Sequence, residues 1–104
     1  MTDLERDIES RLRKIVERRG GKCLKWVCPG WRGVPDRIVL LPGGRVSFVE
    51  LKRPKGGRLS KLQKYWARKL ADMGFRYDVV WDRGDLELFM STYFGEHGNE
   101  IDDK

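Results

Sequence analysis

The sequence predicts a small α/β protein in which a mixed β-sheet is flanked by helices, in the order α-β-β-β-α-β-α. Apolar residues recur at helical spacing in three segments, runs of alternating apolar residues lie between them, and glycine or proline separates most of these segments. With 104 residues, of which 39% are apolar and 37% charged, the chain is long enough for one domain. We assign residues 1–94 to that domain and residues 95–104 to an acidic, disordered tail.

The first predicted helix covers residues 3–19. It begins at Thr2, which has capping-box spacing to Glu5, and it ends at Gly20. Its apolar residues form one stripe that should face the sheet: Leu4, Ile8, Leu12, Ile15 and Val16. Glu5 falls within that stripe, whereas Glu9 lies on its rim.

Three strands follow, at residues 22–27, 36–41 and 45–52, and the last two form a hairpin. The centre of the hairpin, Pro42-Gly43-Gly44, suits a three-residue loop. In that loop Pro42 takes the second position of a type I turn and Gly44 the left-handed bulge position.

The second helix opens at Ser60, with Gln63 at capping-box spacing, and closes at Gly74. Its predicted buried stripe is Leu62, Tyr65, Trp66, Leu70 and Met73. A strand at residues 77–81 comes next, and the intervening helix predicts a right-handed, parallel crossover from the hairpin. The third helix has Leu86, Phe89, Met90, Tyr93 and Phe94 at helical spacing.

The net charge is +6, and residues 95–104 hold four acids and one lysine, a net charge of −3, which leaves +9 on residues 1–94. Such an excess favours a polyanionic partner, nucleic acid rather than a membrane. No apolar run is long enough to span a membrane, and the charged first residues exclude a signal peptide, so we expect a cytoplasmic protein. Cys23 and Cys28 lack further zinc ligands at suitable spacing and should be reduced thiols.

Three charged residues, Asp36, Glu50 and Lys52, stand in a hairpin that needs none. In the register set by the loop, Asp36 faces Glu50, and Lys52 lies on the same face one step beyond. Two carboxylates about 5 Å apart repel by roughly 3 kcal/mol at an effective dielectric near 20, which exceeds the roughly 0.2 to 1 kcal/mol of a favourable cross-strand pair. A divalent cation held by both carboxylates would remove the conflict, and their hard oxygens suit Mg²⁺ or Mn²⁺.

Other interpretations of these charges stay open. Asp36 can be a solvated residue at the start of a strand, with Glu50 and Lys52 as an ordinary ion pair. A register slip of one residue would also separate the acids. Glu5 can serve only as the capping residue of its helix, or it can be a third carboxylate at the cation, with Glu9 as the substitute if the helix is rotated.

The combination of a helical Glu, "GVPDRIVL", a hairpin, "FVELK" and a helix opening "LSKLQ" resembles the VRR-NUC family of nucleases, over roughly residues 3–81. That family belongs to the restriction-endonuclease-like superfamily, whose signature is Asp, a gap, and Glu-x-Lys. The resemblance implies an α-β-β-β-α-β core, to which the C-terminal helix is an addition. It also implies a phosphodiesterase that holds one or two Mg²⁺ or Mn²⁺ ions and no small-molecule cofactor.

Carried onto this sequence, the resemblance makes Asp36, Glu50 and the Leu51 backbone carbonyl the metal ligands. Lys52 becomes the residue that positions or activates the attacking water. Glu5 becomes the helical acid, and Gln63 supports the site, a role that can coexist with capping of the second helix.

A basic set around this site could hold DNA phosphates, although it can also be an ordinary solvated surface: Arg32, Arg37, Arg53, Lys55, Arg58, Lys61 and Lys64. Trp31 can stack on an unpaired base or pack against a partner subunit. No base-reading motif is present, so we expect recognition of DNA shape.

Stand-alone members of the VRR-NUC family look like phage or bacterial structure-specific endonucleases, including Holliday junction resolvases. The resemblance therefore implies a homodimer that cuts branched DNA in a bacterial cell or phage-infected host. The alternatives are cleavage directed by a flap or nick in repair, attack on host DNA, and a non-catalytic DNA-binding module.

Overall fold

The computed structural model describes residues 5–53 and 56–95. Within these ranges three helices and four strands follow in the predicted order: α1 Glu5–Arg18, β1 Lys22–Lys25, β2 Arg37–Leu41, β3 Arg45–Leu51, α2 Lys61–Asp72, β4 Arg76–Val80 and α3 Arg83–Phe94. The predicted α/β fold is therefore confirmed. The predicted cap at Thr2, the apolar Leu4 and the tail beyond residue 95 lie outside the described residues. In the described parts of the chain, every helix is too short or too polar to cross a membrane.

The four strands form one mixed sheet in the order β1-β2-β3-β4. The first three strands are antiparallel, and β4 runs parallel to β3, as the intervening helix predicts. Residues 47–51 of β3 are all buried, because β3 has a strand on each side and helices over its faces. This strand is therefore placed to hold side chains away from water.

The hairpin register is confirmed along β2 and β3: Leu41 pairs with Arg45 and Ile38 with Phe48. The turn itself differs from the prediction, because Gly43 has φ 84° in addition to the 75° of Gly44. A positive φ at the third turn residue belongs to a type II turn rather than a type I turn. Glycine tolerates this conformation, so the register is preserved although the predicted turn type is wrong.

Helices α1 and α3 cover the face of the sheet that carries Val39, Val49 and Leu51. Each helix buries its predicted stripe: Ile8, Leu12, Ile15 and Val16 from α1, and Leu86, Phe89, Met90 and Tyr93 from α3. Phe94 is half-buried at the rim of this core. Asp82 caps α3 by accepting a hydrogen bond from the Asp85 backbone N–H at 2.9 Å, so the helix begins at Arg83.

Both cysteines are free, as the sequence predicts. Cys23 is buried among the core residues, and burial raises the pKa of its thiol to about 11. The thiolate is the reactive form, so this cysteine is chemically quiet at neutral pH. Cys28 is only half-buried in the loop before β2.

The predicted buried stripe of α2 is wrong. Of its five residues only Leu70 is buried; Trp66 is half-buried, and the other three are exposed: Leu62, Tyr65 and Met73. Helix α2 lies on the opposite face from α1 and α3, along the edge strand β4 and against the loop before β2. Helical spacing indicates that one side of α2 is apolar, but the spacing does not say whether the sheet reaches far enough to cover it.

Candidate active site

Asp36 is fixed where the loop of residues 28–36 enters β2. Its backbone carbonyl accepts a hydrogen bond from the Trp26 N–H at 3.0 Å. One carboxylate oxygen, Oδ2, accepts from the Leu51 N–H at 2.8 Å, which binds the side chain across to β3. Asp36 is therefore a rigidly held acid whose second oxygen is not used by that bond.

Glu50 lies opposite Asp36 on β3 and is 2% exposed. The paired ladder ends one residue earlier, where Arg37 meets Val49, and the Asp36 carboxylate lies close enough to act on Glu50. Burial first, and then the nearby Asp36 carboxylate, raise the pKa of Glu50 from 4.5 to about 8. Near neutral pH a proton on Glu50 therefore relieves the repulsion between the two carboxyl groups in the cation-free protein, as a bound cation would.

Gln63 connects α2 to this pair. Its Nε2 donates to Glu50 Oε2 at 2.8 Å, while its Oε1 accepts from the Ser60 backbone N–H at 2.7 Å. The Ser60 hydroxyl in turn accepts from the Gln63 N–H at 3.1 Å, which completes a capping box. The capping role and the site contact, which the sequence left as alternatives that could coexist, occur together.

Glu50 Oε1 and the Tyr77 hydroxyl are the two buried side-chain polar atoms that lack a hydrogen-bond partner in the described residues. Tyr77 pairs with Phe48 in the parallel β3–β4 ladder and so shares the face of Glu50. Burial, and then the charges of Glu50 and Asp36, raise the pKa of Tyr77 above its ordinary value. Because a buried polar atom without a partner is unfavourable by about 1 to 3 kcal/mol, the two atoms point to a ligand at this place.

No motif or periodicity in the sequence indicates Tyr77 as a residue of this site. It lies on β4, and its proximity to Glu50 depends on the register of two strands that are separated by a helix. The only signal in the sequence is the predicted parallel crossover, which sets the direction of β4 but not its register.

Lys52 lies just beyond the paired end of β3 and is half-buried. Its backbone N–H donates to the Val80 carbonyl at 3.1 Å, which continues the contact with β4. Its charge acts on Glu50, where it opposes part of the pKa increase. Asp36, Glu50 and Lys52 therefore occupy one end of one sheet face, as the hairpin register predicts.

The two acids of α1 have different surroundings. Glu9 Oε2 accepts from Arg37 Nε at 2.7 Å and lies 2.6 Å from Arg37 Nη2, so it is committed to an ion pair. Glu5 is exposed, yet its charge contributes to the raised pKa of Glu50. The prediction that Glu5 lies within the buried stripe of α1 is therefore wrong, and the choice of Glu5 over Glu9 as the helical acid stays a prediction. Over residues 5–53 and 56–95, however, no three Asp, Glu, His or Cys side chains converge as metal ligands, so Glu5 remains outside ligand distance of the pair.

The structure separates Arg37 from the predicted DNA-contacting residues, because the ion pair with Glu9 turns its side chain toward α1. Of the other basic residues, Lys55 lies outside the described residues. The remaining five are exposed, in the loop before β2, the loop after β3 and the first turn of α2: Arg32, Arg53, Arg58, Lys61 and Lys64. Trp31 is also exposed, beside Arg32.

Most of the chain is similar to known proteins. The VRR-NUC domain family model matches residues 3–81. A protein of Acyrthosiphon pisum secondary endosymbiont phage 1, named "Putative nuclease p44", is 52% identical over 86 residues, which make up 83% of this chain and 90% of the phage protein. A solved VRR-NUC domain structure shares the fold with a TM-score of 0.81 at 24% identity, over 86% of this chain and 97% of that one.

Proposed function

Since the chain belongs to the VRR-NUC family, we propose that it is a metal-dependent endonuclease that hydrolyses phosphodiester bonds in branched DNA, above all in four-way junctions. The observation that carries this proposal is the pair of carboxyl groups formed by the half-buried Asp36 and the buried Glu50, with Glu50 Oε1 unpartnered and the charge of Lys52 acting on it. The phage relative, whose name describes a nuclease, supports the same class of reaction.

The residues present fit a divalent cation. Glu50 uses Oε2 for Gln63, and Asp36 uses Oδ2 for the Leu51 N–H, so each acid has a second oxygen outside those bonds. These oxygens, with the Leu51 carbonyl, would hold Mg²⁺ or Mn²⁺. When bound, the cation would stabilise the negative charge that builds up on the phosphate during hydrolysis and would acidify a bound water.

The surrounding side chains have separate tasks in this reaction. The Lys52 ammonium would orient the attacking water and stabilise the hydroxide formed from it. The Gln63 amide holds the Glu50 carboxyl in one orientation, so that Oε1 stays directed to the site. The Tyr77 hydroxyl, which has no acceptor in the described residues, would donate to an oxygen bound there.

Branched DNA is favoured over a specific base sequence. The exposed cations lie in two loops and one helix turn that meet at the site, an arrangement suited to phosphates rather than to base edges. A symmetric homodimer would supply two active sites for paired cuts at a junction. Flap- or nick-directed cleavage uses the same catalytic residues and differs only in the DNA that is bound.

The proposal is tested with labelled four-way junction, flap and linear duplex DNA of matched sequence, each incubated with Mg²⁺, Mn²⁺ or EDTA. We expect cleavage of the junction with either cation, no cleavage in EDTA, and weak cleavage of linear duplex. Cleavage of the flap but not the junction would assign the enzyme to flap repair. Binding without cleavage under every metal condition would make the chain a DNA-binding module and would refute the nuclease proposal.

A further inference from the structure

The loop of residues 28–36 is locked onto the start of α2. A Cβ atom placed on Gly33, which has φ 81°, would lie 2.5 Å from Leu62 Cβ and 2.7 Å from the Leu62 carbonyl carbon, so the two segments are in direct backbone contact. The Trp66 indole Nε1 donates to the Arg32 carbonyl at 2.9 Å. Trp31, next to Arg32, is therefore presented by a fixed loop.

Trp31 forms the outer end of a row of aromatic rings. Its ring meets Trp66 edge to face, with centroids 5.9 Å apart and an interplanar angle of 82°. Trp66 continues inward to Trp26 at 6.2 Å, and Trp26 contacts the buried Phe48 at 5.2 Å. Trp31 remains 63% exposed, so its contact with Trp66 leaves ring surface open to solvent.

The surroundings of Trp31 suit a polyanion better than a second copy of the chain. Arg32 is exposed beside it, and α2, whose Trp66 contacts Trp31, carries four exposed cations around its outer surface: Lys61, Lys64, Arg68 and Lys69. The single acid of α2 is Asp72. Two copies that met through this surface would bring like charges together, whereas a nucleic acid strand would neutralise them.

The same two segments also build the candidate active site, because the loop ends at Asp36 and the first turn of α2 supplies Gln63. Asp36 is five Cα–Cα steps along the chain from Trp31, so their Cα atoms are at most about 18 Å apart. Base pairs in duplex DNA follow each other every 3.4 Å along a strand. The distance between these two Cα atoms thus corresponds to no more than about five base steps along a strand.

We propose that Trp31 stacks on a nucleobase left unstacked at the branch point of the DNA, and so positions the branch relative to the cut. This inference rests on the proposed nuclease function and specifies which feature of a branched substrate is read. Stacking of a base on an aromatic ring, combined with a cationic surface that follows the backbone, is a general way to bind unpaired nucleotides without sequence preference.

The test uses three duplexes that are identical except at one central position: fully paired, with one unpaired adenine, or with one unpaired abasic sugar. The abasic duplex has the same flexibility as the adenine bulge but no ring to stack. Affinities are measured in EDTA, so the result does not depend on cleavage. We expect the protein to bind the adenine bulge about fivefold or more tightly than the abasic bulge.

Three variants make the result specific to Trp31. Trp31→Ala should remove the preference for the adenine bulge, whereas Trp31→Phe should retain part of it. Leu88→Ala is the matched control, because Leu88 is equally exposed, at 66%, on the distant helix α3, and this variant should bind like the original protein. Unchanged thermal unfolding would show that the variants are folded.

The outcomes separate this inference from the nuclease proposal. A preference that persists in Trp31→Ala, or that is missing from the original protein, overturns the stacking role even if junctions are cleaved. A homodimer that dissociates on Trp31→Ala in sedimentation, with the base preference intact, would assign the surface to a second copy and also overturn it. Base preference without cleavage in any metal would leave the stacking role standing and refute the nuclease.

Discussion

Strand β3 carries two buried polar clusters, one on each face of the sheet, and only one of them completes its hydrogen bonds. On the α3 face, the Ser47 hydroxyl donates to Asp78 Oδ2 at 2.6 Å, and the Tyr93 hydroxyl donates to the same oxygen. Arg76 Nε donates to the Tyr93 oxygen at 3.3 Å. On the other face, Glu50 and Tyr77 each keep a buried oxygen without a partner in the described residues.

The two clusters therefore differ in whether their members satisfy one another's hydrogen bonds. The Ser47–Asp78–Tyr93 cluster fastens α3 to the sheet, and its members satisfy one another. The Asp36–Glu50 cluster keeps its unused oxygens although that arrangement is unfavourable for the isolated fold, which is expected where a ligand completes the set. Substitutions in the first cluster should therefore change stability, and substitutions in the second should change activity.

The largest expected effect is on cleavage. Lys52→Ala should reduce junction cleavage in Mg²⁺ by at least about 100-fold, because it removes the charge that acts on the attacking water. Asp36→Asn should weaken Mg²⁺ binding, which calorimetry measures directly. Lys14→Ala, which removes the same charge from the exposed side of α1, is the control and should cleave normally. Full turnover in Lys52→Ala, or unchanged metal binding in Asp36→Asn, would contradict these assignments.

The second effect is on the pH dependence of stability. The pKa of Glu50 is higher in the folded than in the unfolded protein, so its protonated form stabilises the fold at low pH, and this stabilisation is lost as pH rises from about 4.5 to about 8. Relative to Glu50→Gln, which stays neutral, the metal-free protein should lose up to about 1.4 kcal/mol per pH unit in that interval. Urea unfolding in EDTA between pH 5.5 and 8.5 measures the difference.

Added Mg²⁺ should reverse this loss, since cation binding displaces the proton from Glu50. The increase in unfolding midpoint caused by Mg²⁺ should be larger at pH 8.5 than at pH 5.5 in the original protein and should be absent in Glu50→Gln. An equal increase at both pH values would show that the cation binds elsewhere.

The smallest effects on stability and cleavage are expected when one tyrosine in each cluster is replaced by phenylalanine. Tyr93→Phe should lower the free energy of unfolding by about 1 to 3 kcal/mol, because Asp78 and Arg76 lose a buried partner, and should leave cleavage by the folded protein unchanged. Tyr77→Phe removes a hydroxyl without a partner, so it should change stability by less than about 0.5 kcal/mol and slow cleavage severalfold. Urea unfolding and junction cleavage together distinguish the two, and the reverse pattern would invalidate the comparison.

Local chemistry explains what the sequence could predict. The hairpin register follows from three residues between Leu41 and Arg45, and this register alone brings Asp36 opposite Glu50. The buried stripes of α1 and α3 follow from helical spacing, because both helices pack on the face of the sheet that carries Val39, Val49 and Leu51. The Ser60–Gln63 capping box is likewise contained within four residues.

Contacts between distant segments explain the rest. The ion pair between Glu9 and Arg37 joins residues 28 positions apart, and no periodicity in α1 indicates this pairing. The exposure of Tyr65 depends on α2 lying at an edge of the sheet rather than over its middle. Tyr77 meets the carboxyl pair only through the β3–β4 register, which the sequence leaves free.

The side-chain amide of Gln63 makes two different contacts, one with the Ser60 N–H and one with Glu50, and together they restrict which residue can occupy this position. Glutamate closes a capping box as well as glutamine does, and as far as α2 is concerned the two residues are interchangeable. Toward Glu50, however, glutamate would replace an N–H donor with another carboxylate. The capping box therefore accepts either residue at this position, whereas the contact with Glu50 requires the amide, so two separate contacts together specify glutamine.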